Sequence, residues 1–142
     1  MNYEFHEIME WSAWANLDAK KDIELILLKG HLILENLIDV ALVTNGFENK
    51  LSSSFHGKAK ILKKIEKSSS SELGKLSELL LELNGIRNKI AHEFLYDIND
   101  GEVEAWSLSV LSSFEGIKFS KFTYRTKIVH AFSALASALA KI

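Results

Sequence analysis

Proline and cysteine are both missing from the 142 residues. The lack of cysteine excludes a disulfide framework and a thiolate site, and makes a reducing cytoplasm the expected compartment. The lack of proline removes the strongest helix breaker, so long helices can run until other signals stop them. Charge of one sign is also scarce. Seventeen Lys and Arg against nineteen Asp and Glu leave −2, so any attraction to nucleic acid must come from a local patch. No uninterrupted bilayer-length apolar run is present. The greasiest stretch, 19–44, is broken by Lys29, His31, Glu35, Asn36 and Asp39, and charged groups are costly in lipid. Residues 1–10 carry Glu4, Glu7 and Glu10 where a signal peptide would need a basic start and an apolar core.

What is present is a surplus of helix formers, with hydrophobic residues at 47% and charged residues at 25%. This is an ordinary balance for a globular domain, and the length suits one domain over 1–142 that buries roughly two thirds of its unfolded surface. The expected class is all-α, a bundle of about four main helices.

A first short helix is expected over 3–15, with Phe5, Ile8, Met9 and Trp11 inward and Trp14 at an edge. Asn16 or Asp18 then offers an N-cap for the longest helix, about 19–44. One face of that helix carries Ile23, Leu27, Gly30, Leu34, Leu37 and Ala41; Ile26, Ile33 and Val40 make a second. A helix apolar on two sides implies two packing partners, here the bundle and a second subunit. His31 and Glu35, four residues apart, read as a hydrogen-bonded pair on the helix surface rather than as metal ligands. Asn45-Gly46 supplies the stop.

A third helix is expected over 54–67, with Phe55, Ala59, Leu62 and Ile65 inward. Lys60, Lys63, Lys64 and Lys67 lie outward with Lys58 nearby. This is the chain's only basic cluster, so these lysines are either a solvated face or the candidate contacts to RNA phosphates. Ser69 and Glu72 fit a capping box opening the next helix. Asn99-Asp100-Gly101 signals a turn. The loose alternation of Val103, Trp106, Leu108 and Val110, then Ile117 and Phe119, suits a short hairpin or an irregular insertion. A last helix over 122–142 directs Ile128, Val129, Phe132, Leu135 and Leu139 inward.

The most informative stretch is Asn84-Gly85-Ile86-Arg87-Asn88-Lys89-Ile90-Ala91-His92. Leu76, Leu79, Leu83, Ile86, Ile90 and Phe94 make its apolar side, while Asn84, Asn88 and His92 recur every four residues on another. Arg87 stands about 140° around the axis from His92, an angle its long arm can reduce. Gly85 weakens the helix but lets another backbone come close. A histidine at a helix C-terminus feels the negative end of the dipole and can take and give protons near neutral pH. A guanidinium suits phosphate oxygens. Together they suit RNA cleavage by attack of its own 2′-hydroxyl, which needs a base, an acid and stabilisation of the phosphorane but no metal or cofactor. One histidine cannot easily serve both the attacking and the leaving oxygen, whereas two copies in a dimer can.

Arg87-Asn88-Lys89-Ile90-Ala91-His92 resembles the R-x(4–6)-H signature of HEPN domains, small all-α ribonucleases of toxin–antitoxin, CRISPR-associated and phage-defence systems. The resemblance implies that Arg87 and His92 are catalytic with Asn88 assisting, at a composite site across a homodimer, cutting RNA to a 2′,3′-cyclic phosphate. It also implies an antitoxin or defence-system protein as a possible partner. His92-Glu93-Phe94 lacks the tyrosine that follows the His in HepT-like toxins, and Tyr96 lies two residues too late, so the modification of that tyrosine is not carried over. Similar motifs occur in helical bundles resembling mannitol-operon repressors and in inactive HEPN-like domains. A non-catalytic regulatory module is therefore the alternative. His6, His31, His56 and His130 read as packing or surface residues.

Overall fold

The computed structural model describes residues 3–65, 70–114 and 122–142. All regular structure among them is helical. Six α-helices follow in order: α1 (Phe5–Asp18), α2 (Ile23–Thr44), α3 (Phe55–Ile61), α4 (Ser70–His92), α5 (Glu102–Phe114) and α6 (Tyr124–Ala140). Two short 3₁₀ turns, Glu48–Lys50 and Leu62–Lys64, flank α3. The expected hairpin is absent from the described part of its segment, where α5 stands instead; Ile117 and Phe119 lie outside the described residues.

Local chemistry sets the helix ends. Asp22, not Asn16 or Asp18, caps α2 by accepting from Leu25 N–H at 3.2 Å. At the other end Gly46 adopts φ 85°, Gly46 N–H donates to Val43 O, and Phe47 N–H donates to Leu42 O at 2.8 Å. That is a Schellman stop, in which glycine takes the left-handed conformation that satisfies the last carbonyls. Ser54 caps α3 through Gly57 N–H, and Thr123 caps α6 through Thr126 N–H. Ser69, half of the expected capping box of α4, lies outside the described residues.

α6 is the central helix and packs against α1, α2 and α5, while α4 packs against α3, α5 and α2. Every residue of α6 from Ala131 to Ser137 is buried, and its small side chains let neighbours come near. At Gly30 of α2 the approach is closest: a Cβ there would meet the Phe132 ring at 2.5 Å. The Trp106 indole of α5 packs on the same ring and donates its N–H to Leu79 O of α4 at 2.9 Å. Ser77 Oγ of α4 donates to Ala59 O of α3 at 2.8 Å. Arg125, at the start of α6, reaches the α1–α2 connection and donates to the carbonyls of Asp18 and Lys20.

Three expectations about facing are corrected. α1 turns Ala13 and Leu17 to the core, while Phe5, Ile8 and Trp11 are exposed and Met9 is half-buried. An α-helix apolar nearly all round does not reveal from its pattern which side its neighbours will cover. On α2, Ile26 joins the core, but Val40 is 47% exposed. Phe94 leaves the apolar side of α4, because the helix ends at His92 and the side chain is 100% exposed. The inward residues expected of α3 and α6 are buried.

Candidate functional site

The last two turns of α4 carry Arg87, Asn88 and His92, and the fold divides them. Asn88 and His92 are exposed, while Arg87 is half-buried on the side towards α2. No hydrogen bond or ion pair joins Arg87 to His92 among the described residues, consistent with the wide angle between them on the helix. Arg87 itself donates no hydrogen bond and forms no ion pair among these residues, so within the described structure its permanent charge and five donors are uncommitted.

What Arg87 does influence is His31. The imidazole is buried against α4, with Nε2 donating to Asn84 Oδ1 at 3.3 Å, and it stacks on Phe55 at a centroid distance of 3.9 Å. Burial holds its proton affinity below the ordinary value; the Asn84 hydrogen bond opposes this, the Arg87 charge adds to it, and Glu35 opposes it. Burial thus favours the neutral imidazole, which faces Asn84, one turn before Arg87 on α4. The expected surface pair between His31 and Glu35 is therefore corrected. His31 turns inward to Asn84, and Glu35 turns to Lys58 at 3.7 Å.

Lys58 is the second surprise. Its side chain is only 6% exposed and its ammonium lies 2.8 Å from Asp39 Oδ1. That oxygen is buried and takes no aligned hydrogen bond, so the contact is an ion pair rather than a directed bond. Lys58 is thus a structural cation bridging α3 to α2. Lys60, Lys63 and Lys64 are exposed around it, and Lys67 lies outside the described residues.

Beyond His92 the chain turns sharply. Tyr96 N–H donates to Glu93 O at 3.1 Å, which places Phe94 and Leu95 at the two corners of the turn, 100% and 87% exposed. Below it, Glu102 accepts from Lys89 at 2.7 Å and from the Tyr96 hydroxyl at 2.9 Å. The Lys89 hydrogen bond holds the Glu102 carboxyl below its usual range, and burial with the Glu102 hydrogen bond pushes the Tyr96 phenol well up. Lys89 and Glu102 also close one end of a groove of about 320 Å³ between α4 and α5, whose walls include Gly85, Ile86 and Trp106.

Sequence reasoning placed Arg87, Asn88 and His92 on one helix end but missed His31 and the exposed turn. A signal for His31 was there: it lies between Leu27 and Leu34 at helical spacing, on the face that proves buried. Nothing in the spacing marked the turn, because Phe94 fits the apolar series until the helix stops.

No group of three or more metal-ligating side chains comes together among the described residues, and none of their helices is long and apolar enough to cross a membrane. No family model, no curated protein and no solved structure matches the chain.

Proposed function

We propose that this chain is an endoribonuclease of toxin–antitoxin or phage-defence type, cleaving RNA without a metal at a site shared by two copies of a HEPN-like domain. The observation that carries the reading is the end of α4, where His92 and Asn88 stand in solvent and Arg87, half-buried on the side towards α2, is free of any carboxylate among the described residues. In the reaction, one imidazole takes the proton of the 2′-hydroxyl as that oxygen attacks phosphorus. The bond to the 5′-oxygen breaks, a second imidazole protonates it, and a 2′,3′-cyclic phosphate remains. Two copies of His92 supply the two imidazoles, and Arg87 stabilises the crowded phosphorane. Asn88 orients the imidazole or the substrate.

Purified protein is expected to cut RNA in EDTA, leaving cyclic phosphate ends. His92→Ala and Arg87→Ala should each lower the rate by about 10²-fold or more, the scale of a lost acid–base group or oxyanion donor. Cleavage that survives both substitutions rules the assignment out.

One observation favours the second reading, a non-catalytic regulatory module. Among the described residues, apart from Phe94 and Leu95, the large exposed apolar side chains all lie on α1 and α2 or at Tyr3 just before them, a distribution that suits protein contacts. In that case RNA stays intact and the same substitutions alter only assembly or partner binding.

A further inference from the structure

Away from His92, at the other end of α4, carboxylates gather around a cavity of about 280 Å³. α1 contributes His6, Glu7 and Glu10, α4 contributes Glu72, and α6 with its C-cap contributes Ser137 and Lys141. Among the described residues none of the three carboxylates is in an ion pair, and neither is Lys141, which stands exposed. Three carboxylates against one ammonium leave two negative charges uncompensated. Glu7 and Glu10 lie one turn apart on α1, where like charges repel. A cleft lined by one sign of charge draws the opposite ion to it.

Acid alone specifies no ligand, but a buried hydroxyl stands beside it. Ser137 is only 6% exposed, and its hydroxyl has no hydrogen-bond partner among the described residues, whereas Ser133, one turn earlier on α6, donates to His130 O at 3.0 Å. A buried hydroxyl without a partner is costly. The oxygen is not sealed in, because Asp39 Oδ1 is the only described side-chain polar atom both fully buried and unpartnered. What surface Ser137 keeps lines the cavity, so its hydroxyl is placed to accept from a bound donor. The carboxylates and His6 do not converge: no three such groups among the described residues could hold a metal ion. Negative charge spread in this way suits an elongated ligand better than a single ion. Phe114 and Ala138, both half-buried, give the cavity an apolar wall for the ligand's chain.

We propose that this cavity binds a linear alkane diamine or polyamine, whose ammonium groups donate to the Glu7, Glu10 and Glu72 carboxylates and to the Ser137 hydroxyl. A dication supplies the two positive charges that the walls lack, and its methylene chain passes Phe114. Lys141 opposes the ligand, because its ammonium repels a second cation at the same rim. Glu72 and His92 stand about 30 Å apart along α4, so this site is separate from the proposed cleavage site and does not depend on it.

The test is titration calorimetry of the full chain with putrescine, a linear diamine, against butylamine, which carries a single ammonium on the same carbon chain. Putrescine should bind at least about tenfold more tightly than butylamine, and more weakly as salt rises. Glu10→Gln with Glu72→Gln should weaken binding at least about tenfold, the scale of a lost charge-assisted hydrogen bond, while helical circular dichroism is kept. Glu7 stays in place in that variant because its carboxylate also accepts from Glu4 N–H at the start of α1. Ser137→Ala should weaken binding several-fold, and Lys141→Ala should tighten it several-fold. Lys141 is exposed, so its removal leaves the fold intact and decides the matter if the double variant does not fold. No heat with putrescine, equal binding of butylamine, or displacement by magnesium at equal concentration overturns the site. So does an affinity unchanged in the double variant or in Ser137→Ala, or one that fails to rise in Lys141→Ala.

Discussion

At the scale of single residues, the histidines tie the fold to pH. Burial depresses the proton affinity of His31 and, likewise by burial, of His130, where Asp18 and Glu10 pull the other way. A group depressed in the folded state binds fewer protons there than in the unfolded chain. The stability it contributes is complete above the unfolded value of 6.5 and is lost as pH falls below it through the folded value. Thermal melting should therefore occur at lower temperature at pH 5 than at pH 7.5, and the drop should shrink in His31→Gln. An unchanged drop would mean that His31 does not titrate differently on folding. Tyr124 acts at the opposite end of the scale. Burial pushes its phenol up to about 12, while its hydroxyl donates to Ile98 O, so this contribution persists until pH rises past the ordinary phenol range.

Between residues and the whole molecule stand the helices, and here Gly30 decides how α2 meets α6. Gly30→Ala gains helix propensity but drives a methyl group into the Phe132 ring. The clash should win, destabilising by about 1–3 kcal/mol and lowering the melting temperature by several degrees; a higher melting temperature would show that the ring can give way. α5 shows how a helix escapes a period-2 reading. Its buried residues are Val103, Trp106, Ser107, Val110 and Leu111, a helical series of i, i+3, i+4, i+7 and i+8. Ser107 hides within that series because it is polar, yet its hydroxyl donates to Glu104 O and so can be buried. Leu108, half-buried, supplies the false alternation.

For the molecule as a whole, the distribution of surface separates charge from grease. Lys60, Lys63 and Lys64 face solvent from the α3 corner, and α1 and α2 present apolar side chains. If the lysines track an RNA backbone, replacing all three by Glu should weaken RNA binding and flatten the slope of log affinity against log salt by about 2. An unchanged slope would leave them as solvated surface. Lys58 belongs to no such patch, since its ammonium is committed to Asp39 and Glu35 inside the fold.

Much of this protein is local and therefore written in the chain. The all-helical class, the Asn45-Gly46 stop, the cap at Ser54, the inward faces of α3 and α6 and the grouping of Arg87, Asn88 and His92 near one helix end all follow from short-range spacing and backbone chemistry. Other features arise only when helices meet. Which side of α1 is covered, the pairing of His31 with Asn84, the burial of Lys58 and the isolation of Phe94 in water depend on neighbours distant in sequence. Periodicity reports which side of a helix is apolar, but the docking of other helices determines which side loses its water.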